Sequence, residues 1–364
     1  MRFTCERKKI FEAFSLASSA ITKSSINPIM QSVRVTTQEQ SVVIAATNQE
    51  ATIETTVSEL DIERSGQACW PCAMLVNVLR ESTSESVRFS QDGDILRVAT
   101  DTAEYVIPTH DPARFPIIAS NVEEETITIG KDLLQQSMSR CEPAISTVES
   151  KYAMTGMLFD LTPERLSIAA TDAKRLAVCT LGITAKKPIT AIVPLKSVKV
   201  AERLMDVSDE SIVTVCFNKR YASFQCGSSK ITTLLIEGIF APYNSILRKK
   251  HTSAVDFVAG DWLQLVRQAV ITSDAESKRI DITLENDTVQ MEAQGAETGK
   301  SKIRGKVEYQ LPKLEISLYA DYLKDLFSSL PASEPVKACF GGPDRPVQFQ
   351  LDDGFIHLIV PMVK

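Results

Sequence analysis

The sequence is poor in the residues on which most enzymes depend. Only three histidines occur, His110, His251 and His357, and none stands in a metal-binding helix pair or beside a nucleophile motif. No G-x-x-x-x-G-K-S/T loop and no G-x-G-x-x-G turn is present, and the glycine pair Gly341-Gly342 runs into Pro343-Asp344 and reads as a turn. Histidine catalysis and phosphate-loop nucleotide binding lose their usual handles. No catalytic residue, metal ligand or cofactor is assigned.

Long hydrophobic runs are missing as well. Nothing approaches the roughly 20 apolar residues that cross a bilayer, and the charged start from Met1 to Lys9 has no apolar segment behind it. The expectation is a cytoplasmic protein without a membrane partner. Nor is there an excess of positive charge, since 40 Lys and Arg stand against 46 Asp and Glu, a net charge of −6. That excludes a protein that coats DNA by bulk charge and leaves a local basic surface open. The eight cysteines are scattered, which points to free thiols.

One cysteine pair has redox spacing, Cys69-Trp70-Pro71-Cys72, where a strand gives way to a helix. A low-pKa thiolate at a helix N-terminus would make it a thiol oxidoreductase site. The alternative is positional: Gln67 to Trp70 end a strand, and Pro71 opens the helix where its missing N–H costs nothing. No second C-x-x-C exists to complete a zinc site.

Internal repetition is the stronger signal. Ile44-Ala45-Ala46-Thr47 recurs as Ile168-Ala169-Ala170-Thr171, and Trp70-Pro71 before one helix recurs as Val193-Pro194 before another. A third copy shows in Ile280 to Leu284 and Val289 to Ala293, with Met291 in the place of Ile168. Each unit reads as a short strand, an amphipathic helix and about three alternating strands, then the same again. The spacing predicts helices over Lys8–Ile21, Cys72–Arg80, Lys131–Arg140, Leu195–Asp206, Asp261–Ile271 and Tyr319–Leu330, each with one apolar face for a sheet. These segments with their flanking residues hold eleven Lys and Arg against eight Asp and Glu. That is the sign expected of helices sharing a surface toward a polyanion, although ordinary solvated faces would give a similar count.

At Thr171-Asp172-Ala173-Lys174-Arg175-Leu176-Ala177-Val178 the chain resembles the bacterial replicative sliding clamp, the beta subunit of DNA polymerase III. The resemblance extends to Met1-Arg2-Phe3-Thr4, Gly156 to Phe159, Glu237 to Tyr243 and the ending Val360-Pro361-Met362-Val363-Lys364. It implies an α+β clamp fold of three repeated domains, at 1–123, 124–250 and 251–364, each with two helices packed on antiparallel sheets, together forming half of a ring. The implied function is a processivity factor without catalysis of its own, in the bacterial cytoplasm at the nucleoid. Its implied partners are duplex DNA, the polymerase III alpha subunit, the clamp loader, other polymerases and repair proteins, and a second copy in a homodimer. Ring arithmetic agrees with the dimer. Six helices at about 10 Å spacing leave a hole of roughly 9 Å, whereas twelve leave roughly 28 Å, enough for a duplex about 20 Å across.

Carried over residue by residue, the resemblance implies a pocket for partner tail peptides at Met154, Thr171, Ala173, Lys174, Arg175, Leu176, Pro242, Ile246, Tyr322, Val347, Leu358, Val360, Pro361 and Met362. The apolar members can bury a ligand's Leu or Phe, and Arg175 can fork onto its carbonyls or carboxylate. Ala173 and Lys174 replace the family's usual Gly and His, Ser245 stands where Arg is frequent, and Val363-Lys364 replaces Arg-Leu. The implied DNA contacts are Lys23, Arg80, Lys151, Tyr152 and Lys196, with Lys199 and Arg203 added on helical spacing. Leu195 and Ala73 stand where the family often has Arg. The implied dimer contact sets Tyr105 and Ile107 of one protomer on Val270 and Ile271 of its partner.

Overall fold

The computed structural model describes residues 1–22, 27–116, 125–247 and 251–362. Lys23, Val363 and Lys364, and the expected boundary at 123/124, lie outside the described residues. One order of elements recurs three times. The first copy runs β1 (Arg2–Glu6), α1 (Arg7–Ala17), β2 (Ser32–Gln38), β3 (Ser41–Thr47), β4 (Ala51–Ser58), an extra strand β5 (Asp61–Arg64), β6 (Gln67–Pro71), α2 (Cys72–Glu81), β7 (Ser86–Asp92), β8 (Ile95–Ala99) and β9 (Glu104–Pro108). The second runs β10 (Glu125–Gly130), α3 (Lys131–Cys141), β11 (Gly156–Leu161), β12 (Leu166–Thr171), β13 (Arg175–Leu181), β14 (Ile189–Pro194), α4 (Leu195–Asp206), β15 (Ile212–Phe217), β16 (Tyr221–Cys226) and β17 (Ser229–Leu234). The third runs β18 (Ser253–Val258), α5 (Ala259–Ala269), β19 (Arg279–Glu285), β20 (Thr288–Gly295), β21 (Gly299–Lys306), β22 (Leu314–Tyr319), α6 (Ala320–Ser328), β23 (Pro335–Phe340), β24 (Val347–Gln350) and β25 (Phe355–Ile359).

The helices match the 3.6-residue pattern, with shortened C-terminal ends in α1, α5 and α6. α1 stops at Ala17, where Ser18 and Ser19 turn their hydroxyls back onto the carbonyls of Ser15 and Leu16 and tighten the chain into a 3-10 turn over Ser18–Ala20. α5 likewise ends at Ala269 and continues as a 3-10 turn over Val270–Thr272.

By contacts the chain divides into two compact units, residues 1–135 with 196–235 and residues 136–195 with 236–364. The first unit holds a five-stranded sheet, β5-β1-β7-β8-β9, and an eight-stranded sheet, β10-β15-β16-β17-β4-β3-β2-β6. The second holds an eight-stranded sheet, β14-β11-β12-β13-β25-β24-β23-β18, and a four-stranded sheet, β21-β20-β19-β22. All pairings are antiparallel. Each eight-stranded sheet is two four-stranded halves joined edge to edge, through β4 and β17 in the first unit and through β13 and β25 in the second. Among the described residues, β9 and β21 each end a sheet with one flank unpaired by any strand.

Alternation along the strands buries one face under the helices. In the first unit Trp70 stacks on Phe89 at 5.4 Å and donates its indole N–H to Gln91 Oε1 at 2.7 Å. In the second, Trp262 lies 3.9 Å from Phe257 and meets Phe327 edge-on.

Candidate functional site

Every described residue of the expected peptide pocket belongs to the second unit. Its floor is built by β13 and β25, which bring Leu176 opposite Leu358. Both are buried in one cluster with Leu158, Val178, Ile192, Phe240 and Tyr243, which Leu247 partly covers. Above this floor apolar groups remain exposed: Ile246 at 45% and Val360 at 43%, with Pro242 beside Tyr243. Met362 is half-buried, whereas Met154, Thr171 and Val347 are buried and serve as packing.

The turn from Thr171 to Arg175 holds one wall. Asp172 accepts the backbone N–H groups of Lys174 and Arg175, both at 2.9 Å, and Thr171 Oγ1 donates to the Arg175 carbonyl at 2.6 Å. This geometry places Ala173 at φ 71, a left-handed backbone that favours glycine. The last residues dock on it. Val360 N–H donates to the Lys174 carbonyl at 2.9 Å, and Met362 N–H donates to the Ser317 carbonyl on β22 at 2.8 Å.

Neighbouring residues on a strand point to opposite faces, and Arg175 lies across from Leu176, on the side of α6. Its Nε contacts Asp172 at 3.1 Å, its Nη1 contacts Asp325 at 2.6 Å, and its guanidinium stacks 4.4 Å from the Tyr322 ring centroid. Two carboxylates and the Tyr322 ring hold this guanidinium on the side of α6. Burial and the neighbouring Asp172 push the Tyr322 hydroxyl above its ordinary pKa.

The helical cations also divide. Arg7 donates to the carbonyls of Ser84 and Leu79, both at 3.0 Å; Lys131 donates to that of Ser208 at 2.7 Å; and Arg140 is 3% exposed and paired with Asp353. These three are held by groups of the fold itself. Lys196, Lys199 and Arg203 are exposed and follow one another at helical spacing along α4, and Arg203 also reaches Ser15 on α1 at 2.8 Å. Arg80 ends α2, exposed and bonded to Asn77, while Lys151 lies over the Tyr152 ring in the loop before β11.

At the sheet edges, Tyr105 is partly exposed on β9, but Ile107 is 2% exposed, buried against its own β8 where it faces Leu96. Its side chain is therefore unavailable to a partner, a correction to the expected contact. Ile271 is 75% exposed.

Family models match most of this arrangement. The DNA polymerase III beta subunit models match residues 1–119, as its N-terminal domain, and 128–242, as its central domain. Together they take in well over half of the chain. The chain belongs to the DNA polymerase III beta subunit family.

The beta sliding clamp of Proteus mirabilis is 25% identical over 338 residues, covering 92% of each chain. That of Caulobacter vibrioides is 22% identical over 379 residues, covering all of both. The fold is shared with the crystal structure of the Pseudomonas aeruginosa beta subunit (TM-score 0.93, 20% identity, 100% of both chains) and with the Bacillus subtilis clamp (TM-score 0.92, 18% identity, 100% of this chain and 99% of that one). As a beta subunit the chain is a processivity factor and not an enzyme.

The cysteine pair agrees with that. Cys69 and Cys72 are fully buried, and burial pushes both thiols up to about 12, far from a thiolate at neutral pH. Cys72 points to the Phe14 carbonyl and packs α2 on α1. All eight cysteines are free. Sequence reasoning missed Asp325, Phe240 and Tyr243. Asp325 meets Arg175 across 150 positions, and nothing local in the sequence marks that pairing.

Proposed function

We propose that two copies of this beta subunit close head to tail into a ring that encircles duplex DNA and tethers the polymerase III alpha subunit during synthesis. The observation that carries this reading is the rule of the two junctions. In each, the third strand after a repeat's first helix pairs with the last strand of the next repeat: β4 with β17, β13 with β25. The same rule assigns β21 of the third repeat to β9 of a first repeat, and a second chain supplies it. Three domains at 1–123, 124–250 and 251–364 then give six around the ring.

A groove supports this. Beside α5 and β21 lies an opening of about 1300 Å³, lined by Asp261, Gln264, Leu265 and Gln268. Lys9, Glu12, Ala13 and Leu16 of α1 occupy the same places in the first repeat, and there Val207, Ser228 and Ser229 of the second repeat leave only about 280 Å³. A partner's first repeat would fill the larger groove in the same manner, setting Tyr105 near Val270 and Ile271. Helices then line the hole, with Arg80, Lys196, Lys199 and Arg203 offering cations, and Lys151 and Tyr152 a loop contact. Because the link to DNA is topological, a chain of net charge −6 needs no high affinity for it.

Tail peptides of the polymerase, the clamp loader and repair proteins would bury apolar anchors against Leu176, Pro242, Ile246, Val360 and Met362. The setting is the bacterial cytoplasm, and no described helix is long and apolar enough to cross a membrane. Gel filtration tests closure. Ile271→Arg should yield a folded monomer where the unaltered chain elutes as a dimer, and an unchanged dimer would remove Ile271 from the interface.

A further inference from the structure

The repeat fixes more than which edges meet, because it also fixes their register. In the first junction the residues Ile127, Val215, Phe224 and Ile231 lie abreast on four strands, and Ile231 faces Ile53. In the second, Val255, Ala338, Phe349 and His357 lie abreast, and His357 faces Ala177. The corresponding row of the first repeat is Phe3, Phe89, Val98 and Tyr105.

On the facing side, Ile53 and Ala177 each stand two residues before Thr55 and Cys179, the partners of Ile44 and Ile168. Met291 is their counterpart, and it pairs with Ile303. The equivalent of Ile53 and Ala177 in the third repeat is therefore Ser301.

We infer that ring closure sets Tyr105 of one protomer opposite Ser301 of its partner, which brings Glu104 directly opposite Lys302, and that this charge pair selects head-to-tail closure. The inference rests on the dimer reading above. At the same place the first junction has Lys230 opposite Glu54, and the second has Ile356 opposite Val178. The closing junction thus carries the polarity of the first in reverse.

Like charges would meet in the wrong pairings. Two β21 edges would juxtapose Lys300, Lys302 and Arg304 with themselves, and two β9 edges would repeat Glu104. Such juxtapositions suppress incorrect partners more than correct ones add affinity. Both groups already hold cross-strand partners within their own chain, Glu104 with Arg97 at 3.3 Å and Lys302 with Glu292 at 3.2 Å, so closure merges two ion pairs into one cluster. The register also agrees with the side of the contact. Ser301 Oγ accepts from Thr272 at 2.7 Å and donates to the Ala269 carbonyl at 3.0 Å, which puts Tyr105 beside the turn carrying Ile271.

Sedimentation of the full-length chain tests this at low and high salt. Glu104→Lys and Lys302→Glu should each weaken the dimer at least about tenfold at low ionic strength, and the double variant should recover most of the loss. All differences should shrink at high salt, since both side chains are solvent-exposed. Single variants that dimerise like the unaltered chain, or a double variant no better than either single, would overturn the pairing. In a second measurement, Tyr105→Cys with Ser301→Cys should cross-link protomers under oxidised glutathione, and Tyr105→Cys with Ile303→Cys should not. The opposite preference overturns the register. An unaltered chain that stays monomeric at every concentration overturns the ring itself, an outcome separate from a dimer insensitive to these charges.

Discussion

Ala173 occupies a backbone conformation that costs a residue with a Cβ on the order of 1 kcal/mol or more. The turn holds it there through the two N–H bonds to Asp172. Ala173→Gly should relieve that strain and raise stability by about 1 kcal/mol in denaturant titration; a loss of stability would mean that the turn does not hold this geometry in solution. His357 makes a second residue-scale case. It is fully buried on β25 with no partner for either ring nitrogen among the described residues, and burial followed by the nearby Arg175 lowers its pKa from 6.5 to about 3. The fold therefore keeps it neutral while the unfolded chain takes up a proton below about pH 6.5. Its contribution is present in full above that pH and is lost as the pH falls toward 3, on the order of a few kcal/mol in all. His357→Leu should flatten the pH dependence of stability across that window, and an unchanged slope would assign the acid sensitivity to other groups.

At the scale of elements, the segment from Val360 to Met362 is more than a wall of the proposed peptide pocket. Val360 and Met362 tie the turn before β13 to β22 through the two backbone bonds to Lys174 and Ser317. Deleting residues 360–364 should cost on the order of 2 kcal/mol of tail-peptide binding, and it should also lower the unfolding midpoint, since two backbone bonds go with it. Peptide binding as tight as that of the intact chain would remove the tail from the pocket. Helices were legible in the sequence because their apolar spacing is local: Cys72–Arg80 and Leu195–Asp206 match α2 and α4 almost to the residue. Less legible was what each charged side chain would do. Arg7, Arg140 and Arg175 are each held by groups from distant segments, which no local pattern marks. Strand alternation could have set Arg175 and Leu176 on opposite faces, but the turn preceding them obscures where the strand begins. Nor does the sequence separate Tyr105 from Ile107, which point to the same face of β9 although only Ile107, opposite Leu96, is buried.

At the scale of the whole molecule, the repeat explains why a chain without catalytic machinery is built this way. Three copies of one unit follow one edge-to-edge rule, and the proposed ring would pair β9 with β21, which each end a sheet among the described residues. Charge alone would not keep such a protein on DNA, because bound cations exchange with salt, whereas a closed ring leaves only where the DNA ends or the ring opens. The most direct test is therefore the lifetime of the loaded chain on a closed circular duplex against the same duplex cut once. The account predicts long retention on the circle, rapid loss from the cut duplex, and restored retention when the cut ends are blocked by a bound protein; equal lifetimes on the circular and cut forms would contradict it.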